Sequence, residues 1–267
     1  MEPFVCSKDN VEERKNLIKK WENKAFKTGI KGLDEAFGGN LYSGSLWLIC
    51  AGTGVGKTTA LLATAKKMVR EGKKVAYISI EMSLVQILKF CPDNLDGLYL
   101  YEMESMADWE EFKKECEKIK FDAVFYDYLG SQGDLGEWDK LIDFSAGLAK
   151  IAIKYDIPVF TACQATVELT DEARRNPNSS NLFGLNYIAY SKGIANKVAG
   201  GIYIVNDGKS LSAYNFKCRY NIKPTVSYNL NLDFKTKEWL DIGEDNSKMA
   251  SKYPEKLRQS IHSASIF

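Results

Sequence analysis

The chain has 267 residues, enough for one large core with a small appendage. Apolar residues make up 45% and charged residues 27%, the balance of a soluble globular protein; a formal net charge of +1 excludes a strong global field, so any nucleic-acid contact must come from a local cluster. Six scattered cysteines without CxxC pairing, the lack of a signal peptide at the start and the lack of any long apolar run argue against a secreted disulfide framework and a membrane span, and for reduced thiols in a cytoplasmic protein.

The first element is a helix over Asn10–Phe26. Val11, Leu17, Ile18, Trp21 and Ala25 fall on one stripe, Asn10 stands at a capping position, and Glu12 and Glu13 occupy the first turn. Two readings stay open: the helix packs on its own domain, or it is an arm docking on a neighbouring subunit. A short helix between glycines follows in Thr28–Gly39, and Tyr42–Gly44 turns into the apolar run Ser45–Cys50, expected as a buried parallel strand.

Ala51–Thr59 (AGTGVGKTT) then matches the P-loop pattern [AG]xxxxGK[ST], with helical spacing in Ala60–Val69 behind it. Strand, glycine loop and helix appear in the order this motif needs. Gly54 and Gly56 let the backbone N–H groups of Gly52, Thr53, Gly54, Val55, Gly56, Lys57, Thr58 and Thr59 turn toward one nest for polyphosphate. Lys57 supplies a point charge to the β- and γ-phosphates, and the Thr58 hydroxyl is placed for Mg²⁺. ATP and Mg²⁺ are the expected ligands.

The next strand, Lys74–Ile80, ends at Glu81, where a carboxylate overlooks the phosphates and can accept a proton from an attacking water. Leu84–Phe90 begins a helix, Pro92–Gly97 is a turn cluster, Leu98–Tyr101 a short strand and Asp108–Ile119 an amphipathic helix. Phe121–Asp127 is an apolar strand ending in an acid, the pattern that holds a Mg²⁺ shell; Asp122 opens that strand and belongs at the wrong end for metal. A long helix over Trp138–Tyr155 leads to the strand Ile157–Cys163 and to Gln164, a neutral amide able to sense the γ-phosphate.

Val167–Ala189 has loop composition. Arg174, Arg175 and Lys192 are candidate phosphate contacts, with Gly193 beside them, and Phe183, Tyr187 and Tyr190 are candidates for stacking on bases. Gly201–Val205 and Leu211–Phe216 form a hairpin around Asn206–Lys209, delivering Lys217 and Arg219 on one face of a strand. Thr225–Leu232 and Lys237–Leu240 are expected to complete the sheet. The rest is polar, and its lone His262 is assigned no role.

The run from Thr28 through the P-loop, "ISIEMS", "YDYL" and "FKCRYNIKPT" together resemble the motor domain of DnaB-type hexameric replicative helicases, in a compact phage-like form. The resemblance covers about residues 27 to 242. It implies an α/β fold: a RecA-like P-loop core with a twisted, mostly parallel sheet flanked by helices, plus an N-terminal helical arm. The domain division would be 1–26 arm, 27–242 ATPase and 243–267 tail. In the family's terms Glu81 is the catalytic base, Gln164 the γ-phosphate sensor, and Lys217 and Arg219 a finger reaching the neighbouring subunit's nucleotide. The loops carrying Arg174, Arg175, Lys192 and Gly193 would track DNA, although the chain reads Gly193–Lys197 where the family has an acidic patch. The implied partners are single-stranded DNA, further copies in a hexameric ring, and a primase or helicase loader. Two alternatives remain open at this point: a RecA-fold ATPase that is not a helicase, recombinase-like or regulatory, and an accessory nucleotide-binding protein without motor activity.

Overall fold

Along β3 (Leu46–Ala51) every residue is buried, and the side chains alternate between two cores. Leu46, Leu48 and Cys50 join one apolar cluster, while Trp47, Ile49 and Ala51 join the other. A strand covered on both faces is what a continuous apolar run predicts, and it places β3 at the middle of a three-layer sandwich. The computed structural model describes residues 10–91, 95–130, 138–189, 192–207, 210–221, 223–233 and 235–240.

In chain order, α1 (Val11–Glu22), β1 (Ala25–Phe26), α2 (Lys31–Ala36) and β2 (Leu41–Tyr42) precede β3. Then come α3 (Lys57–Arg70), β4 (Val75–Ser79), α4 (Leu84–Leu88), β5 (Leu98–Glu102), α5 (Met106–Lys118), β6 (Ala123–Leu129), α6 (Trp138–Tyr155) and β7 (Val159–Gln164). The remainder is α7 (Glu168–Arg175), α8 (Lys192–Lys197), β8 (Gly200–Asn206), β9 (Leu211–Cys218), β10 (Tyr228–Leu230), β11 (Leu232–Asp233) and β12 (Glu238–Trp239). The main sheet runs β10-β9-β8-β3-β7-β6-β4-β5; β8, β3, β7, β6, β4 and β5 are parallel, and β9 and β10 close one side antiparallel.

Because β3 and β4 are separated by β7 and β6, the chain crosses under the sheet through α3. Eleven of the fourteen α3 residues are buried, Leu61, Leu62, Ala65 and Met68 among them. The opposite face is covered by α5 and α6, whose Trp109 and Phe144 rings meet at 4.7 Å over Tyr126. The crossover leaves the carboxyl ends of β3, β4, β6 and β7 opening toward one side, where ligands bind in open α/β sheets.

Four expectations need correction. The first helix stops at Glu22, and Asn10 sits at its cap position without a capping side-chain bond; none of its residues is buried, Leu17 and Ile18 being 49% and 57% exposed. Only Trp21 docks, stacking on Tyr42 at 4.1 Å. Val167–Ala189 is not wholly irregular: α7 and a 3₁₀ turn at Ser180–Phe183 lie within it. The last strands do not all complete the sheet either. β10 joins it, whereas β11 and β12 pair only with each other and lie against α3. Pro92–Asn94, Tyr190, residues 208–209 of the hairpin turn and the tail 243–267 are outside the described residues.

Candidate nucleotide-binding site

The loop after β3 turns on Gly54 (φ +73°) and Gly56 (φ +111°), left-handed angles that glycine adopts without strain. Gly56 is also the residue preceding α3, and it brings no side chain to cap that helix. The first N–H groups of a 14-residue helix therefore face the cleft with the positive end of the helix dipole behind them, a built anion site. Val55 N–H donates to the Gly52 carbonyl at 3.3 Å, closing the loop.

Lys57 folds back over this nest, its Nζ donating to the carbonyls of Ala51 (3.4 Å) and Gly52 (3.3 Å) and lying 5.2 Å from the Tyr128 ring centre. Burial lowers its pKa, and the negative groups around it, Glu81 and Asp127 included, oppose that drop. Gln164 Nε2 donates to Thr53 Oγ1 at 2.9 Å, so the β7 end touches the loop directly. Thr53, Gly54, Gly56, Lys57, Thr58, Thr59, Glu81 and Gln164 share one open cleft of about 620 Å³.

Asp127 lies behind that cleft and is fully buried. Its Oδ1 accepts from Thr58 Oγ1 at 3.1 Å and its Oδ2 from Tyr77 OH at 2.7 Å. Burial pushes the Asp127 carboxyl up to about 6 against these two hydrogen bonds, with Glu81 adding to the rise. A cation beside it would reverse that penalty. The donors are all oxygen, one carboxylate and one hydroxyl, which suits Mg²⁺ completed by phosphate oxygens and water; among the described residues no cluster of three acidic, Cys or His side chains forms a self-sufficient metal cage. Asp122 is at the other end of its strand, accepting from Lys74 N–H at 2.8 Å, as expected.

The remaining candidates are not brought to this cleft. β9 runs antiparallel to β8, so Leu211 lies opposite Asn206 at the phosphate end, and Lys217 lies opposite Gly201, which is level with Leu48. Lys217 Nζ donates to Ala195 O at 2.5 Å and Arg219 Nη2 to Asn196 O at 3.4 Å, both carbonyls of α8, so the two cations do share a face. Burial, then the Arg219 charge, lowers the Lys217 pKa. Arg174 and Arg175 lie exposed on α7, bonded to the carbonyls of Asp207 and Asp171. Lys192 and Gly193 open α8; the Lys192 side chain is outside the described atoms. Two of the stacking candidates are already occupied: Phe183 packs edge-on against Tyr214 at 5.5 Å, and Tyr187, 9% exposed, against Tyr203 at 6.0 Å. Apolar burial won over availability to bases.

Sequence reasoning missed Tyr77, Tyr128 and Lys237. Lys237 enters the cleft from the β11–β12 turn, donating to Thr59 Oγ1 at 2.8 Å. The signal for Tyr77 was available in principle: side chains on β4 alternate, and it lies on the α3 side with Asp127 on the adjacent strand.

A family model described as "ATPase: KaiC" matches residues 26–96. Among solved structures, the ATPase domain of a DnaB-like helicase aligns with a TM-score of 0.67 at 16% identity, over 90% of this chain and 100% of that one. The chain has a RecA-like P-loop ATPase fold. A DnaB-like replicative helicase, solved in a study of its interactions with primase, aligns with the RecA-like chain at a TM-score of 0.65 and 15% identity, over 90% of this chain and 68% of that one. By sequence, the DNA repair protein RadA of Campylobacter jejuni is 45% identical over 151 residues, 54% of the RecA-like chain and 33% of the relative. The chain spans about a third or less of the length of the curated relatives it matches.

Proposed function

We propose that this chain is a DnaB-type motor: an ATPase that works as a ring of identical subunits, expected to be hexameric, and uses ATP hydrolysis at each subunit interface to move along single-stranded DNA and part a duplex. The observation that carries this reading is the separation of two sets of groups. The cradle, carboxylates and amide meet at one end of the parallel strands, and the pair Lys217 and Arg219 lies at the other end of β9, away from its own chain's phosphates. A cation so placed has to serve a different copy's nucleotide, and a trans-acting arginine at a transferring phosphoryl group carries a large share of the rate.

Within one pocket the loop N–H groups and Lys57 hold the polyphosphate. Glu81, at the mouth, takes the proton from the attacking water; Gln164 orients that water or the γ-phosphate. Mg²⁺, held by Thr58 and Asp127, would screen the charge of the β- and γ-oxygens. Arg174, Arg175, Lys192 and Gly193 are the DNA contacts in this reading, and a primase or loader is the partner implied by the helicase likeness. A second reading has a specific observation behind it. The sequence match is to a DNA repair protein, so a RecA-fold ATPase acting in repair without strand displacement is the alternative.

Two measurements on the purified chain test this. ATP turnover is expected to rise with added single-stranded DNA, and a forked duplex is expected to be unwound with one polarity. Glu81→Gln should lower turnover by about 10²–10⁴-fold with nucleotide affinity retained. DNA-stimulated turnover without strand displacement would favour the repair reading, and no DNA response would remove both.

A further inference from the structure

Lys237 is a cation in the phosphate cleft that the motor reading does not use. It sits at φ +56°, in the left-handed region where a lysine costs on the order of 1 kcal/mol or more. Glycine or asparagine would form this turn at less cost, so something holds the lysine there.

The hairpin around it is clamped from three directions. Glu238 pairs with Lys66, which is buried, and takes both Nη atoms of Arg70 at 2.7 and 2.9 Å. Lys66 Nζ also donates to the carbonyls of Phe90 (2.7 Å) and Thr236 (3.2 Å). Trp239 Nε1 donates to Thr64 Oγ1 at 3.0 Å. These contacts fix β12 along α3, so that Lys237 projects over the first turn of that helix. Its Nζ lies 2.8 Å from Thr59 Oγ1 and 4.9 Å from the centre of the Phe90 ring. Lys57 serves the β- and γ-phosphates and Thr58 the metal, so an ammonium beside Thr59 adds charge at a different point of the polyphosphate.

We infer that Lys237 binds the nucleoside-side (α) phosphate of a nucleotide held by its own chain, making the β11–β12 hairpin a clasp over the cleft. The inference rests on the nucleotide-binding reading of that cleft. Bringing this ammonium to phosphate exchanges a neutral hydroxyl acceptor for a charged one, which shortens and strengthens the bond.

The test is ADP affinity, measured by calorimetry on the full chain as wild type, Lys237→Gln, Lys237→Arg and Lys57→Ala, with thermal midpoints taken without nucleotide. Lys237→Gln should raise the Kd for ADP about tenfold and Lys237→Arg should restore most of it. AMP, whose single phosphate is the α one, should lose its advantage over adenosine in Lys237→Gln. If Lys237→Gln binds ADP like wild type while Lys57→Ala does not, the clasp is refuted and the cleft reading survives. A lower midpoint in Lys237→Gln with unchanged ADP affinity assigns Lys237 a purely structural role and refutes it as well. No ADP binding by wild type removes the cleft reading and the clasp together.

Discussion

At the carboxyl ends of the parallel strands the functional groups hold one another: Tyr77 and Thr58 grip Asp127, Gln164 touches Thr53, and Lys57 lies on its own loop carbonyls. At the amino ends the polar and apolar groups are held more loosely. Arg219 rests on a single α8 carbonyl at 3.4 Å, and next to it Tyr220 meets Trp21, through which α1 attaches while its Leu17 and Ile18 face outward. Both ends belong to one sheet with one continuous core, so the contrast is not one of stability. It separates a site the chain builds for itself from a surface whose groups have little to do within a single copy.

The largest expected effect tests that contrast directly. Arg219→Ala should lower ATP turnover by about 10³-fold or more, as loss of a trans-acting arginine does elsewhere, while ADP binding to the isolated chain stays as in wild type. Mixing Arg219→Ala with Lys57→Ala subunits should restore part of the turnover, because some interfaces then pair an intact cradle with an intact arginine. Mixtures that follow simple dilution would break the contrast, since the arginine would then act within its own chain or not at all.

A smaller effect is expected at the clamp behind the cleft. Glu238→Ala strips a carboxylate from buried Lys66, and removing one partner of a buried pair costs about 3 kcal/mol, less here to the extent that the Phe90 and Thr236 carbonyls still accept from it. Denaturant melts of wild type and variant measure this. The same pair sets a pH response. Burial alone would raise the Glu238 carboxyl, but hydrogen bonds from Arg70 and Lys66 outweigh it and hold it below the ordinary value. A depressed folded value means that the stabilisation is complete above the unfolded carboxyl pKa of about 4.3 and is lost as pH falls through the folded value. Wild type should therefore lose stability below about pH 4 more steeply than Glu238→Ala.

Much of the cleft was legible because its parts are local to strand ends. A P-loop, a strand ending in Asp127 and another ending in Gln164 need only periodicity and order along the chain, and a parallel sheet then brings their carboxyl ends together. What was not legible depends on contacts between residues far apart in sequence. Lys237 reaches Thr59 across 178 positions, through a hairpin that leaves the main sheet, and no local pattern predicts where such a hairpin lands. The same limit explains Phe183 and Tyr187, whose aromatic character fits base stacking and core packing equally well until Tyr214 and Tyr203 are seen beside them. In α7, the turn-forming residues that follow Arg175, Asn176 to Ser180, hid a short helix with Leu169 and Ala173 buried on its inner face.

The smallest effect is expected from α1, and it sharpens the comparison most cheaply. Leu17 and Ile18 touch nothing that buries them in one copy, so Leu17→Ser with Ile18→Ser should leave the chain's stability within about 0.5 kcal/mol of wild type. Trp21→Ala is the control, because it removes the ring stacked at 4.1 Å on Tyr42 and should cost about 1 kcal/mol or more. If the amino-end surface is completed by another copy, the double serine variant should sediment as a smaller species at concentrations where wild type assembles, with its monomer melt unchanged. A double variant that destabilises the monomer by more than the Trp21 control would mean that α1 packs on its own domain in solution. The two ends of the sheet would then no longer differ in what a single chain leaves uncovered.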